Sequence, residues 1–166
     1  MIKVMMVCHG NICRSTMAEF VLKDMVRKQH IEDKFIINSS ATSREEIGNG
    51  VHHGTRRKLA EVGVPCGEHR AVQITKKDYE NYDYILIMDA NNHRNLMRII
   101  GADTEGKVHG LLDFSGRPRD IADPWYTGNF DVTYDDVVEG CETFLEHLRQ
   151  SGQIQTIYNK EVTFYE

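Results

Sequence analysis

The chain has 166 residues, of which 40% are hydrophobic and 27% charged, and its formal net charge is -5 at pH 7. This length and composition predict one globular domain with a buried core and exclude a disordered chain. The negative charge excludes nucleic acid and an anionic membrane surface as expected partners, so any anion site must be a local basic pocket.

No apolar run approaches the roughly 20 residues that a membrane span needs. The first apolar stretch ends at a cysteine without a small-residue cleavage site, so we expect no signal peptide and a cytoplasmic location. Four cysteines are then expected as free thiols, namely Cys8, Cys13, Cys66 and Cys141. They form no C-x-x-C pair, and the adjacent residues His52 and His53 cannot aim two rings at one ion, so no metal site is predicted.

The first two elements are a strand and a helix. Ile2–Val7 is short, apolar and partly β-branched, which predicts a buried strand. A helical pattern begins at Ser15, its expected N-cap, and Glu19 stands one turn before Lys23. The apolar face of this helix carries Met17, Phe20, Val21 and Met25.

Strands and helices continue to alternate along the chain. We predict strands over Phe35–Asn38, Tyr84–Met88 and Val108–Leu112, and helices over Thr55–Glu61 and Asn91–Ile100. A last helix is expected near Thr133, where Thr133 and Asp136 form a capping box. This order predicts an α/β fold with a parallel sheet. The tail 151–166 is assigned to an extension beyond a 1–150 domain; an extra edge strand, a dimer contact and a frayed end remain open.

The stretch "VCHGNICRST" joins the first strand to the first helix, at the sheet edge where ligands bind in such folds. A helix N-terminus favours a bound phosphate or a thiolate, and Gly10 and Asn11 tolerate the backbone angles of an anion nest. Arg14 adds a fork for two phosphate oxygens, and Ser15 can donate a hydrogen bond to sulfur. Cys8 is therefore predicted to be a thiolate nucleophile. A buried strand-end cysteine is the plainer alternative.

A thiolate expels an alkoxide or phenoxide poorly, so the reaction needs an acid that later activates water. Asp123, in "IADPWYTGN", is the candidate for this group. Pro124 stiffens that loop, while Trp125 and Tyr126 offer flat apolar walls for an aromatic substrate. An Asp-Pro turn with two surface aromatics is the alternative interpretation.

The blocks "VCHGNICRSTMAEF", "SSATS" followed by "EIGN", "HRAVQIT", "YDYILIMDANN" and "ADPWY" occur in this order. In this the chain resembles the low-molecular-weight protein tyrosine phosphatases from about residue 2 to 150. The resemblance implies a single three-layer domain with a four-stranded parallel sheet flanked by helices and a phosphate-binding loop after the first strand. It also implies no metal or other cofactor, and a phosphocysteine intermediate formed from phosphotyrosine proteins or aryl phosphates.

The resemblance also implies roles for individual residues. Cys8 is the nucleophile, Arg14 binds phosphate and stabilises the transition state, and Asp123 is the general acid and then the base. Ser15 resembles the hydroxyl that assists the thiolate as leaving group. The phosphate-binding loop comprises His9, Gly10, Asn11, Ile12, Cys13, Arg14 and Ser15.

Supporting residues are implied in the same way. Asn11, Ser39 and His69 resemble a network that holds the loop in shape, and Asp89 resembles a buried acid beside it. A satisfied, partly buried histidine and a helix N-cap are the plainer interpretations of His69 and Asp89. Cys13 resembles a second loop cysteine that traps an oxidised nucleophile as a disulfide.

Two residues in the matching blocks depart from the family pattern. Thr16 stands where many members have proline, and threonine is acceptable in a first helical turn. Glu45 stands where eukaryotic members typically have an aromatic wall. We therefore expect Trp125 and Tyr126 to be the main walls and the affinity for aryl phosphates to be only moderate.

Three rival functions remain open. Arginine phosphatases share the pattern but carry threonine at the position of Ile12. Arsenate reductases of this fold need a nearby cysteine pair, which Cys66 and Cys141 do not provide in the expected segment. A non-catalytic redox or phosphate-binding module would use Cys8 and Cys13 as a thiol switch. The physiological substrate is also open, as is a weak homodimer.

Overall fold

Four parallel strands form one sheet in the computed structural model, which describes residues 1–155. In chain order they are β1 (Ile2–Cys8), β2 (Phe35–Ala41), β3 (Tyr84–Ile87) and β4 (Val108–Gly110), and across the sheet they run β2-β1-β3-β4. The register pairs Cys8 with Ala41, and Val7 with Ile87. The carboxyl ends of the strands therefore meet at one edge.

Helices cover both faces of this sheet. They are α1 (Arg14–Lys28), α2 (His53–Glu61), α3 (Lys76–Asn81), α4 (Ala90–Ile100), α5 (Pro124–Thr127) and α6 (Phe130–Gln150). Val4 and Met6 of β1 pack in a core with α1, α2 and α6, while Met5 and Val7 pack with α3 and α4. Because alternate β1 side chains point to opposite faces, this strand is apolar almost throughout. The predicted three-layer α/β domain is confirmed.

The predicted elements are present, with shifted boundaries. The fourth strand is shorter than expected, because Leu111–Phe114 forms a 3-10 helix that turns two buried leucines into the core. Helix α3 was missed in the sequence pattern; Thr75 caps it in a capping box with Asp78, and Tyr79 is its buried anchor. A 3-10 turn at Glu32–Lys34 and the short α5 were also not predicted.

Two predicted caps are wrong. Helix α1 is capped at Cys13 without a side-chain hydrogen bond, because the Ser15 hydroxyl is engaged at the phosphate-binding loop instead. Helix α6 begins three residues earlier than expected, where the Asn129 side chain accepts from Val132 N–H. The fully buried Thr133 is used differently, since its hydroxyl donates to the Ala122 carbonyl at 3.0 Å.

The start of the predicted extension packs against the domain. Ile154 is buried in the core shared by α1 and α6, and the Gln153 side-chain amide donates to the Tyr84 hydroxyl at 2.8 Å. The remainder of the 151–166 extension lies outside the described residues, so its domain boundary stays a prediction. Within residues 1–155 no helix combines the length and apolarity that crossing a bilayer requires.

Candidate active site

The loop between β1 and α1 curls around the sulfur of Cys8. Asn11 takes the left-handed conformation with φ 60°, so its N–H points back and donates to Cys8 Sγ at 3.3 Å. Ser15 Oγ lies 3.1 Å from the same sulfur. Gly10 does not use a positive φ, and a Cβ at this position would make an ordinary contact with Glu46 Cγ at 3.4 Å. The Asn11 N–H therefore donates to the sulfur, and the Ser15 hydroxyl is close enough to donate to it as well.

Asn11 is fully buried, and each end of its side-chain amide is engaged. Its Oδ1 accepts from Val72 N–H at 3.1 Å, which fixes the orientation of the amide. Its Nδ2 donates to Ser15 Oγ and to Ser39 Oγ, each at 2.9 Å. The loop conformation is therefore held by tertiary contacts rather than by local preference.

These bonds set the direction of the hydroxyl hydrogens. Ser15 Oγ accepts from Asn11, so its own hydrogen is free to point at Cys8 Sγ. Ser39 Oγ likewise accepts from Asn11 and donates to Glu19 Oε1 at 2.5 Å. Glu19 is buried and is paired with Lys23, as their spacing predicted, but no sequence pattern indicated that Glu19 would face the loop.

His69 holds the loop from behind. Its Nε2 lies 2.7 Å from the Asn11 carbonyl, and since a carbonyl only accepts, that nitrogen carries the hydrogen. His69 also borders a cavity of about 650 Å³ that includes Arg56, Cys66 and Arg70. That cavity is larger than the one at Cys8, but neither Cys8 nor Asp123 lines it.

Arg14 is almost completely buried and is held by three acceptors. Its Nη1 donates to Asp89 Oδ2 at 2.7 Å and to the Ile121 carbonyl at 2.8 Å, and its Nη2 donates to Asp123 Oδ2 at 3.3 Å. Burial by itself lowers the pKa of Arg14, but the charges of Cys8 and Asp123 and the bond to Asp89 raise it above its ordinary value. The guanidinium is thus a fixed cation beside the loop.

Each acid at Arg14 is itself positioned by a helix. Asp89 N-caps α4, with Oδ1 accepting from Asn92 N–H at 2.8 Å while Oδ2 faces the guanidinium. Asp123 N-caps α5 in the same way, with Oδ1 accepting from Trp125 N–H at 3.0 Å. The N-cap interpretation and the supporting role of Asp89 are therefore compatible, because Oδ1 caps the helix while Oδ2 binds Arg14.

The loop opens into a cavity of about 370 Å³. Its lining consists of Cys8, His9, Gly10, Ile12, Cys13, Arg14, Glu45, Glu46, Asp123, Trp125 and Tyr126. Glu45, Trp125 and Tyr126 form its outer edge, which we call the rim. Trp125 is 58% exposed and Tyr126 84% exposed, and His9 Nε2 lies 2.9 Å from Glu45 Oε2. Glu46, for which the sequence predicted no role, adds a second acid to the lining.

Cys13 has a different environment from Cys8. Burial raises the pKa of its thiol to about 12, and the nearby Cys8 charge adds to this shift. Its carbonyl accepts from the Thr16 and Thr55 hydroxyls at 2.9 and 3.2 Å. The Thr16 hydroxyl also donates to the Ile12 carbonyl at 2.8 Å, so threonine at this position ties the helix start to the loop. Within the described residues, no three His, Cys, Asp or Glu side chains cluster as metal ligands.

Comparisons with known proteins identify the same family that the sequence blocks resemble. The sequence model of a family described as low molecular weight phosphotyrosine protein phosphatase matches residues 3–154. YfkJ of Bacillus subtilis, a low molecular weight protein-tyrosine-phosphatase, is 35% identical over 156 residues, which are 93% of this chain and 100% of that protein. Its crystal structure superposes with a TM-score of 0.87 over 91% of this chain and 96% of that one.

Two further solved structures are similar. SP-PTP, a low molecular weight protein tyrosine phosphatase from Streptococcus pyogenes, is 39% identical with a TM-score of 0.81, over 89% of this chain and 93% of that one. The Drosophila arginine phosphatase DARP is 29% identical with a TM-score of 0.81, over 89% of this chain and 98% of that one.

Proposed function

The chain belongs to the low molecular weight phosphotyrosine protein phosphatase family, and we propose that it hydrolyses phosphotyrosine proteins and small aryl phosphates through a phosphocysteine on Cys8. One observation carries this proposal. Cys8, Arg14 and Asp123 line a single cavity, with two hydrogen-bond donors aimed at the sulfur. A nucleophile, an anion-binding cation and an acid are the groups that the reaction requires.

In the first step the Cys8 thiolate attacks phosphorus, the S–P bond forms and the bond to the aryl oxygen breaks. Asp123 gives its proton to that leaving oxygen. Arg14 and the loop N–H groups bind the phosphoryl oxygens in the transition state. Because Asp89 and the Ile121 carbonyl both hold Arg14 Nη1, the guanidinium is positioned before substrate arrives.

In the second step the Asp123 carboxylate takes a proton from water, and the water oxygen attacks phosphorus. The S–P bond breaks, and inorganic phosphate and the thiolate are released. Ser15 and the Asn11 N–H stabilise the departing sulfur, which explains why both donors face it. Asp123 contacts Arg14 Nη2 at 3.3 Å, and a phosphoryl oxygen on that nitrogen would replace the carboxylate and free it for proton transfer.

The rival functions find less support. DARP is named an arginine phosphatase. Arginine phosphatases are expected to carry threonine at the position of Ile12, which lines the cavity in this chain. Isoleucine at this position favours an oxygen ester as the substrate. Arsenate reduction would need a cysteine relay at the cavity. Cys141 is fully buried in α6, and Cys66 borders the cavity behind His69, so neither lines the cavity at Cys8.

The state of the cysteine thiols is relevant to the cellular compartment of the protein. The cysteines at 8, 13, 66 and 141 are all free, and hydrolysis through Cys8 needs a reduced sulfur. We therefore keep the cytoplasm as the proposed location. A disulfide between Cys8 and Cys13 remains a proposal for oxidising conditions, and the high pKa of Cys13 makes its thiol a slow resolving group near neutral pH. The weak homodimer remains a prediction.

The test is intact-protein mass measurement after acid quenching during turnover of p-nitrophenyl phosphate. We expect a phosphate adduct that maps to Cys8 and is absent in Cys8→Ser. Asp123→Asn should slow the second step and raise the adduct fraction. Turnover retained by Cys8→Ser would reject the covalent mechanism, and faster hydrolysis of phosphoarginine than of phosphotyrosine peptide would favour the arginine phosphatase.

A further inference from the structure

A group of aromatic rings joins the acid-bearing loop to the rest of the domain. His52 contacts Trp125 edge to face with ring centroids 5.6 Å apart, and stacks on Phe130 at the same distance with an interplanar angle of 19°. We call these three residues the His52 cluster. Trp125 is two residues from Asp123, and its backbone N–H donates to the Asp123 carboxylate at 3.0 Å, so the cluster adjoins the acid.

His52 is bonded to the phosphate-binding loop and to its own helix. Its backbone N–H donates to the Ile12 carbonyl at 2.9 Å. Its ring Nδ1 accepts from Gly54 N–H at 3.0 Å, which caps α2 and places the ring hydrogen on Nε2. A Cβ on Gly54 would lie 2.2 Å from Phe130 Cζ, so a glycine is what lets Phe130 reach the ring.

Charged groups face His52 from several elements. Burial lowers the pKa of His52 most, and the charge of His53 on the same helix lowers it further. Glu46 and Asp123 act in the opposite direction, without reversing the shift. On the phosphate-binding loop, Cys13 is a neutral thiol, and the charge of Arg14 is paired with Asp89 and Asp123. On α6, Asp131 is paired with Lys58 at 2.8 Å. The ring is therefore neutral at pH 7.

We propose that His52 is a positioning residue: its neutral ring fastens the Asp123 loop against the phosphate-binding loop, and protonation of the ring loosens that contact. A proton on Nδ1 would face Gly54 N–H, so the helix cap would be lost and the ring would have to turn away from Trp125. The proposal rests on the proposed function, because it takes Asp123 as the general acid.

The first test uses fluorescence, because Trp125 is the single tryptophan of the sequence. A protonated imidazole quenches a neighbouring indole, so we expect emission to fall on acidification with a midpoint below 6.5, the ordinary pKa of histidine. His52→Asn and His52→Phe should lack this transition. The control His53→Asn should keep it, with a higher midpoint. A transition that persists in both His52 variants would overturn the proposal.

The second test compares leaving groups. A misplaced acid matters more for phenyl phosphate than for p-nitrophenyl phosphate, whose leaving group needs little protonation. We expect His52→Asn to lose roughly tenfold more kcat/KM on phenyl phosphate than on p-nitrophenyl phosphate. His52→Phe, which keeps a ring, should lose less. A weakened aryl wall or a smaller folded fraction would reduce both substrates equally, and that result would overturn the positioning role.

Asp123→Asn separates this proposal from the proposed function. If that variant shows no extra loss on phenyl phosphate, Asp123 is not the general acid, and the roles of Asp123 and His52 fail together, while the phosphate adduct on Cys8 still tests hydrolysis through the cysteine. If it shows the loss and His52→Asn does not, only the role of His52 fails.

Discussion

The phosphate-binding loop and the rim face each other across one cavity, but they are built differently. In the loop, Asn11 is fully buried and its amide and backbone are bonded to five neighbours. At the rim, Trp125 and Tyr126 are mostly exposed, and Glu45 contacts His9 at the surface. The groups that would bind the phosphate are buried and fixed in advance, whereas those that would meet the rest of a substrate are exposed to solvent.

The largest effect is expected from breaking the loop at its centre. Asn11→Ala removes three side-chain hydrogen bonds, orphans Val72 N–H and puts alanine at φ 60°. We expect the free energy of unfolding to fall by about 4 kcal/mol, measured by urea denaturation. Asn11→Gly, which accepts this φ, should recover about 1 kcal/mol of that loss. The exposed Asn91→Ala is the control, and an equal loss there would contradict the comparison.

Alkaline pH provides a second way to break the loop. Burial raises the pKa of the Cys13 thiol from its ordinary value of 9.0 to about 12, so above pH 9 the unfolded chain releases a proton that the folded chain keeps. The contribution of this thiol to stability is therefore intact below pH 9 and should fall by about 1.4 kcal/mol per pH unit up to about pH 12.

The measurement is the free energy of unfolding in urea at several pH values between 8 and 11. In Cys13→Ala the free energy of unfolding should fall less steeply with pH than in the parent, by about 1.4 kcal/mol per pH unit, which corresponds to one proton. Cys141→Ala should do the same, since burial also raises the pKa of Cys141. Identical slopes in the parent and Cys13→Ala would show that this thiol is not held protonated.

A smaller effect is expected at Gly54, where Phe130 of the His52 cluster packs. Gly54→Ala forces Phe130 to move, because the new Cβ would overlap its ring. We expect a loss of about 2 kcal/mol in thermal or urea unfolding, together with a changed Trp125 emission. Gly116→Ala is the matched control, since no atom lies within 4 Å of its Cβ position and its φ is not positive. Unchanged emission in Gly54→Ala would place Trp125 outside this packing.

The smallest effect is expected at the rim itself. Glu45→Tyr replaces an exposed carboxylate with a ring opposite Trp125, and we expect KM for a simple aryl phosphate to fall about threefold with little change in stability. Glu45→Gln removes only the charge and should recover less of the affinity. If KM is the same in Glu45→Tyr and the parent, Glu45 does not weaken binding.

Much of the fold follows from local pattern. The apolar run at residues 2–7, the helical spacing after Ser15 and the alternation of later elements predicted the strands and most helices, because each pattern reflects burial of a single element. Apart from the short helices that were missed, the errors concern side chains that have more than one possible hydrogen-bond partner. Ser15 and Thr133 have good capping chemistry, but both hydroxyls bond elsewhere, to the phosphate-binding loop and to the Ala122 carbonyl.

The candidate site also has a part that the sequence predicts and a part that depends on the tertiary structure. The sequence alone determined the segment from Cys8 to Ser15, because a strand, a turn and a helix N-terminus are continuous in the chain. Only the tertiary structure brought Asp89 and Asp123 to Arg14, across sequence separations of 75 and 109 residues, and Glu19 to Ser39. The physical reason is that parallel strands end at one edge of the sheet, so residues that are distant in the chain meet there, and no local pattern encodes which of them will face each other.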